Sequence, residues 1–247
     1  MLIVFEGIDA TGKTTLAKEL SERWKIPYFK GGGWQRDTRI GERAKQEGIG
    51  ARDRYFALMQ LDRLRELKKT TGDGKNIIVD RLVLVDVAHH LALGWDETTK
   101  DFSQESKIQA LQSLKTFLPP KGEVVTSKRA IPRKEVLGIV FDVADKGFII
   151  ERMIEKFGFS ATGEKDLVSW LKENGYFPEA DTIEKFEVKR QAWLWCAEQL
   201  GWKVIDASGS KEKVLGKVVD FLREKRILPE GQIGTKESEV TGGKEKE

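Results

Sequence analysis

Gly7-Ile8-Asp9-Ala10-Thr11-Gly12-Lys13-Thr14 has the residue types and spacing of a phosphate-binding loop. In the pattern G-x-x-x-x-G-K-[ST] the backbone curls so that successive N–H groups point into one concavity, and the helix that follows adds its positive end. Lys13 then reaches the β- and γ-phosphates of a nucleoside triphosphate, and the Thr14 hydroxyl becomes a ligand of Mg²⁺. The run from Gly7 to Thr15 is therefore expected to hold ATP. Asp9 is the less generic member. A carboxylate beside an anion site is repelled by the phosphates, which turns it toward a hydroxyl or amine of a second ligand; the alternative is an ordinary turn residue, a role in which Asp is common.

Asp80-Arg81 follows the apolar run Ile77-Ile78-Val79, at the carboxyl edge where open α/β sheets put their ligands. The acid can hold Mg²⁺ through water and the arginine can pair with a phosphate. His89 and His90 are the only histidines. Neighbours on a helix point about 100° apart, so a shared metal is disfavoured and His89 is expected to line a sugar or base pocket. Cys196, inside Trp193-Leu194-Trp195-Cys196, reads as a buried, inert thiol.

These groups need elements to hold them. Apolar strands and helical patterns alternate through most of the 247 residues, the signature of an α/β fold: a three-layer parallel sheet with helices on both faces. Strands are expected at Leu2–Phe5, Ile26–Phe29, Asn76–Asp80, Leu137–Val143 and Lys203–Asp206. Helices are expected at Lys13–Trp24, Ala51–Thr70, Val87–Leu93, Ser103–Phe117 and Lys211–Lys225. Two stretches interrupt the scheme: an inserted loop over 119–136, and an enlarged lid over 157–184. One domain is expected over 1–228, with a polar, disordered tail over 229–247. The 43 basic and 40 acidic side chains nearly cancel, which excludes a nucleic-acid binder relying on a broad basic face. No apolar run is long enough to cross a bilayer and the first one feeds the loop, so no membrane partner is expected and the location is cytoplasmic.

Ile3-Val4-Phe5-Glu6-Gly7-Ile8-Asp9, with Gly12-Lys13-Thr14-Thr15, resembles the opening of thymidylate kinases. The resemblance implies that Asp9 hydrogen-bonds the 3′-hydroxyl of a deoxyribonucleoside monophosphate. The segment 35–42 is similar to that family's Arg-x-Thr-x-Ile-Gly, giving Arg36 the place of the arginine on the acceptor phosphate. Leu58-Met59-Gln60-Leu61-Asp62-Arg63 is similar to the family's Leu-Phe-x-x-Asn/Asp-Arg. Arg63 then stands for the arginine that reads the pyrimidine, and Met59 for the stacking Phe. The pair Asp80-Arg81 fits the same frame, but Leu82, Val85 and His89 depart from the family's Tyr or Phe, Ser, and Tyr or Phe. Val204 to Ser210, followed by Val214, is similar to the last strand and adenine-contacting loop, which brings Ser208 to ATP. Phe141-Asp142-Val143 and Arg152 are similar to the strand and arginine leading to the lid. Ala10 leaves the loop without an arginine, so the resemblance gives the catalytic place to Arg152, assisted by Lys156, with Arg129 or Arg133 as substitutes.

Together these readings imply a P-loop nucleoside-monophosphate kinase that moves the γ-phosphoryl of ATP to dTMP. Lys13, Asp9, Arg81 and Arg152 are its expected catalytic residues, Mg²⁺ sits on Thr14 and Asp80, and a homodimer is expected from the resemblance. A different nucleotide or small-molecule acceptor on the same fold is the first alternative. A non-kinase P-loop ATPase is the second.

Overall fold

The computed structural model describes residues 1–31, 69, 74–82, 84–120, 130–159 and 163–229. The helix expected over 51–70, the residues Arg36, Met59, Arg63 and Arg129, and the tail from 230 onward fall outside these, Lys69 excepted.

Strand β1 (Leu2–Gly7) is the centre of the molecule. Successive strand side chains point to opposite faces, and Leu2, Ile3, Val4 and Phe5 are all fully enclosed. Both faces of the sheet are therefore covered, which is the three-layer arrangement. Among the described residues β1 is flanked by β3 (Ile77–Asp80) and β6 (Val136–Asp142), with β2 (Tyr28–Lys30) and β7 (Lys203–Asp206) outside them. All four pairings are parallel, so the five strand ends at Gly7, Lys30, Asp80, Asp142 and Asp206 share one edge. β2 begins two residues later than the apolar run suggests, because Pro27 has no N–H to give to a ladder; its carbonyl accepts from Ile78 N at 2.8 Å.

Helix α1 (Lys13–Trp24) leaves the loop with Leu16, Ala17 and Leu20 buried against β1, β2 and β3. α2 (Leu84–Leu93) starts three residues ahead of the expected Val87. The reason lies far away in sequence: Glu6 Oε1 accepts Leu82 N at 2.7 Å and Leu84 N at 3.4 Å, so a carboxylate on β1 satisfies N–H groups at the amino end of this helix. A two-residue hairpin follows, β4 (Trp95–Asp96) against β5 (Asp101–Phe102), with the Trp95 and Phe102 rings 5.0 Å apart. Ser103 then caps α3 (Gln104–Phe117), its hydroxyl accepting from Ser106 N at 3.2 Å.

Beyond β6 the chain forms α4 (Lys146–Phe157), α5 (Glu164–Glu173), α6 (Phe177–Glu184) and α7 (Phe186–Leu200). The stretch read as a lid thus holds two helices packed into the main core: Leu167, Leu171, Ala180 and Ile183 are fully buried in it, and Phe157 packs on Tyr176 at 4.6 Å. α7 lies against β6, β7 and α2. After β7, Ser210 caps α8 (Lys211–Glu224). Cys196 on α7 is enclosed, and burial, with Glu6 adding to it, pushes its thiol well above the usual range. No helix among the described residues is long and apolar enough to cross a membrane.

Candidate active site

The site forms at the shared strand edge, where β1 runs into the loop. At the turn, Gly7 has φ 128° and a Cβ there would sit 2.4 Å from the Phe141 carbonyl oxygen, so the loop leaves the sheet at a point only glycine fits. The chain next reverses through Ala10 (φ 63°) and Gly12 (φ 85°) into α1. Lys13 is 4% exposed and its ammonium donates to Ile8 O and, at 3.1 Å, to Thr11 Oγ1. Burial and the neighbouring Arg81 lower its pKa to about 7, against the pull of Asp9, Asp80 and Glu6.

β3 delivers the second set of groups. Thr14 Oγ1 donates to Asp80 Oδ2 at 2.5 Å, and Tyr28 OH, from β2, donates to the same oxygen at 3.2 Å. The other oxygen, Asp80 Oδ1, is buried and has no hydrogen-bond partner. A hydroxyl and a carboxylate with a spare lone-pair set, beside a phosphate loop, fit a hard divalent cation such as Mg²⁺. Arg81 follows in the left-handed region (φ 71°), uncommon for a side chain of its size. The turn is packed from below, since a Cβ on Gly31 would lie 2.0 Å from Arg81 O.

Arg81 donates to Asp9 Oδ1, each side chain being 25% exposed. Burial would raise the Asp9 carboxyl, but Arg81, Lys13 and Lys189 outweigh it and hold it at about 2. The other oxygen, Asp9 Oδ2, accepts from Thr182 Oγ1 at 3.3 Å, so α6 reaches the phosphate loop directly. Arg152, on α4, lies over the loop from the opposite side: its guanidinium donates to Ala10 O and Gly209 O, both at 3.4 Å, and stacks 4.3 Å from the Phe148 ring centroid.

Two cavities meet here. One, of about 690 Å³, is lined by the loop from Asp9 to Thr15, by Arg81, and by Arg152 and Lys156 from α4; the volume is in the range of small-molecule and cofactor sites. The other is much smaller, about 50 Å³, and is lined by Asp9, Arg81, Val85, His89, Lys189 and Trp193, among others. Asp9 and Arg81 border both.

The expected residues Lys13, Thr14, Asp80, Asp9, Arg81, Arg152 and His89 therefore converge on this edge, while Arg36, Met59 and Arg63 are not among the described residues. Ser208 is in the loop after β7, its hydroxyl turned onto Asp206 Oδ1. Arg133 is excluded as a substitute for Arg152. It precedes β6, whose first residue pairs with Leu2, at the end of the sheet away from the loop. Glu6, Thr182, Lys189 and Trp193 were not singled out from the sequence. Only Glu6 left a signal there, an acid inside a strand buried on both faces.

Neither a protein-family model nor a curated protein sequence matches the chain. Solved structures do. The thymidylate kinase of Candida albicans aligns with a TM-score of 0.53 and 18% identity, covering 92% of this chain and 92% of that one. The deoxyadenosine kinase of M. mycoides with bound dCTP aligns at 0.52 and 18%, covering 91% of this chain and all of the other. The same enzyme with dATP aligns at 0.50 and 16%, covering 90% and 100%. The fold is that of the P-loop nucleoside and nucleotide kinases. Within this fold the loop from Asp9 to Thr15, Arg81 and Arg152 surround the larger cavity, Asp80 is hydrogen-bonded to Thr14 beside it, and the smaller one opens between α2 and α7.

Proposed function

We propose that the chain is an ATP-dependent phosphotransferase that moves the γ-phosphoryl group of ATP to a nucleoside monophosphate, dTMP first among them, to give the diphosphate. The observation that supports this reading is the pair of cavities sharing Asp9 and Arg81. A transferase needs donor and acceptor sites that touch where the phosphoryl crosses, whereas a nucleotide-driven motor or regulator needs only the first; the smaller cavity, at about 50 Å³, has room at that junction for the acceptor's phosphate group. Phosphoryl transfer is mostly positioning and charge neutralisation. In this reading Lys13 and Arg152 spread the developing charge on the phosphoryl oxygens. Arg81, with Arg36 by resemblance, holds the acceptor in line. The spare lone pairs of Asp9 accept the 3′-hydroxyl. Mg²⁺ on Thr14 and Asp80 would neutralise phosphate charge when bound. The segment over 157–184 would act as the lid that keeps water from the phosphoryl group.

Two choices remain distinct on the same fold. Thymidylate selectivity follows from Arg63 and the resemblance, while Val85 and His89 in the wall of the smaller cavity favour a shifted acceptor. A coupled assay of ADP release, with ATP alone and with each common nucleoside monophosphate, separates them. The expected result is little ADP until an acceptor is added, with dTMP the fastest. ADP release at the same rate without any acceptor would refute the transferase reading, and a faster purine would refute only the choice of base.

A further inference from the structure

The smaller cavity carries a cation that the loop motif does not call for. Lys189 lies in the first turn of α7 and its side chain is 14% exposed. A helix amino end repels positive charge, at a cost of about 0.3–1 kcal/mol, so a lysine here works against local preference. Its partner does not account for it. Lys189 Nζ is 2.6 Å from Asp181 Oδ2, but Lys185 takes the other oxygen of that carboxylate at 2.9 Å, so one acid serves two lysines. Lys189 also donates to Thr182 Oγ1 at 3.3 Å, the hydroxyl that in turn donates to Asp9.

The cavity wall repeats this imbalance. Arg81 and Lys189 face it against the single carboxylate of Asp9. The neighbouring residue fixes the geometry: Arg190 makes a two-pronged pair with Asp142 at the end of β6, at 2.7 and 2.8 Å, which ties the amino end of α7 to the sheet. One turn along α7 from Lys189, Trp193 gives the same cavity a flat apolar wall.

We infer that Lys189 is a second phosphate-reading cation on the acceptor side, holding the acceptor's own phosphate together with Arg81. This rests on the transferase reading above. A phosphate monoester carries about −1.5 to −2 charge near neutral pH and accepts several strong hydrogen bonds. It offers Arg81 a second anionic partner beside Asp9, and draws Lys189 from the shared Asp181. Thr182 is the positioning link between this subsite and Asp9.

The test uses Lys189→Gln and Lys189→Arg, assayed on dTMP and on whichever monophosphate the panel shows to be fastest, with the parent nucleoside of each as a competitive ligand. Lys189→Gln should lower kcat/KM for the monophosphate about ten- to a hundredfold, through KM, as loss of a charged hydrogen bond does. The KM for ATP and the inhibition constant of the parent nucleoside should stay within about twofold of wild type, and Lys189→Arg should recover most of the loss, as befits a role in charge. A loss of the same factor for nucleoside and monophosphate, a loss confined to kcat, or no loss would overturn the inference. A wild-type protein that phosphorylates no monophosphate would instead remove the reading on which it rests.

Discussion

Replacing Glu6 by Gln should change how stability responds to pH more than it changes stability at any one pH. The Glu6 side chain is fully enclosed, Oε1 is taken by the N–H groups of Leu82 and Leu84, and Oε2 has no partner. Burial raises its carboxyl from 4.5 to about 7, even though the two N–H groups, Arg81 and Lys13 pull the other way. A raised carboxyl pKa means that the folded protein binds this proton more tightly than the unfolded chain. Its contribution is most favourable below about pH 4.5 and is lost as pH climbs through about 7. That rise corresponds to about 3 kcal/mol, most of which falls between roughly pH 5 and pH 8. Gln keeps an oxygen for Leu82 and Leu84 and cannot ionise. The stability of Glu6→Gln minus that of wild type should therefore grow by about 2–3 kcal/mol from about pH 5 to about pH 8, measured by urea unfolding at each pH. Groups distant from Glu6 cancel in the subtraction; Lys13, which Glu6 pulls upward, does not, so the same difference is also taken in the Lys13→Ala background. Parallel curves for the two proteins would refute the reasoning, because the buried carboxyl would then titrate as it does in the unfolded chain.

Further outcomes follow from the same geometry. Lys13→Ala should lower phosphoryl transfer by roughly a thousandfold or more with the fold intact, read by steady-state kinetics beside thermal melting. Burial holds the Lys13 pKa at about 7, and phosphates beside it would raise it, so ATP binding near pH 8 should take up protons in wild type and fewer in Lys13→Ala; calorimetry in buffers of different ionisation enthalpy reads this directly. Gly7→Ala should cost on the order of 3 kcal/mol or more in unfolding free energy, since its Cβ meets a strand carbonyl at 2.4 Å and φ is 128°. A near-wild-type melt would show that the loop can leave the sheet another way. Asp9→Ala should damage a 3′-hydroxyl acceptor about ten- to a hundredfold more than its 3′-deoxy analogue, and a double cycle of enzyme against substrate change measures that coupling.

The parts of the fold carried by local periodicity could be read from the chain. Lys13–Trp24 and Lys203–Asp206 match their elements residue for residue, and the acid ending Ile77–Asp80 stands at the strand edge as strand direction demands. What escaped was decided across the fold. The early start of α2 depends on a carboxylate on β1, and the hairpin of Trp95 and Phe102 is too short for alternation to register. Thr182 and Lys189 look like ordinary members of polar helices. Their meaning appears only when α6 and α7 return to a loop made at the start of the chain, 173 residues from Thr182 in the case of Asp9. Motif spacing could locate the phosphate end of the candidate site because one short segment builds it. The opposite wall comes from two distant helices and has no such signature.

That division has an evolutionary consequence. The phosphate loop is locked: Gly7 cannot take a side chain, Lys13 is buried, and Asp80 is bound to both Thr14 and Tyr28. The smaller cavity is walled by Val85 and His89 on α2 and by Lys189 and Trp193 on α7, each pair spaced one turn apart on its helix. Single substitutions at Val85, His89 or Trp193 would reshape that wall without touching the backbone turn at Gly7 or the Thr14–Asp80 bond. On the proposed reading, the choice of acceptor can then shift one residue at a time while the donor chemistry built on the loop is retained.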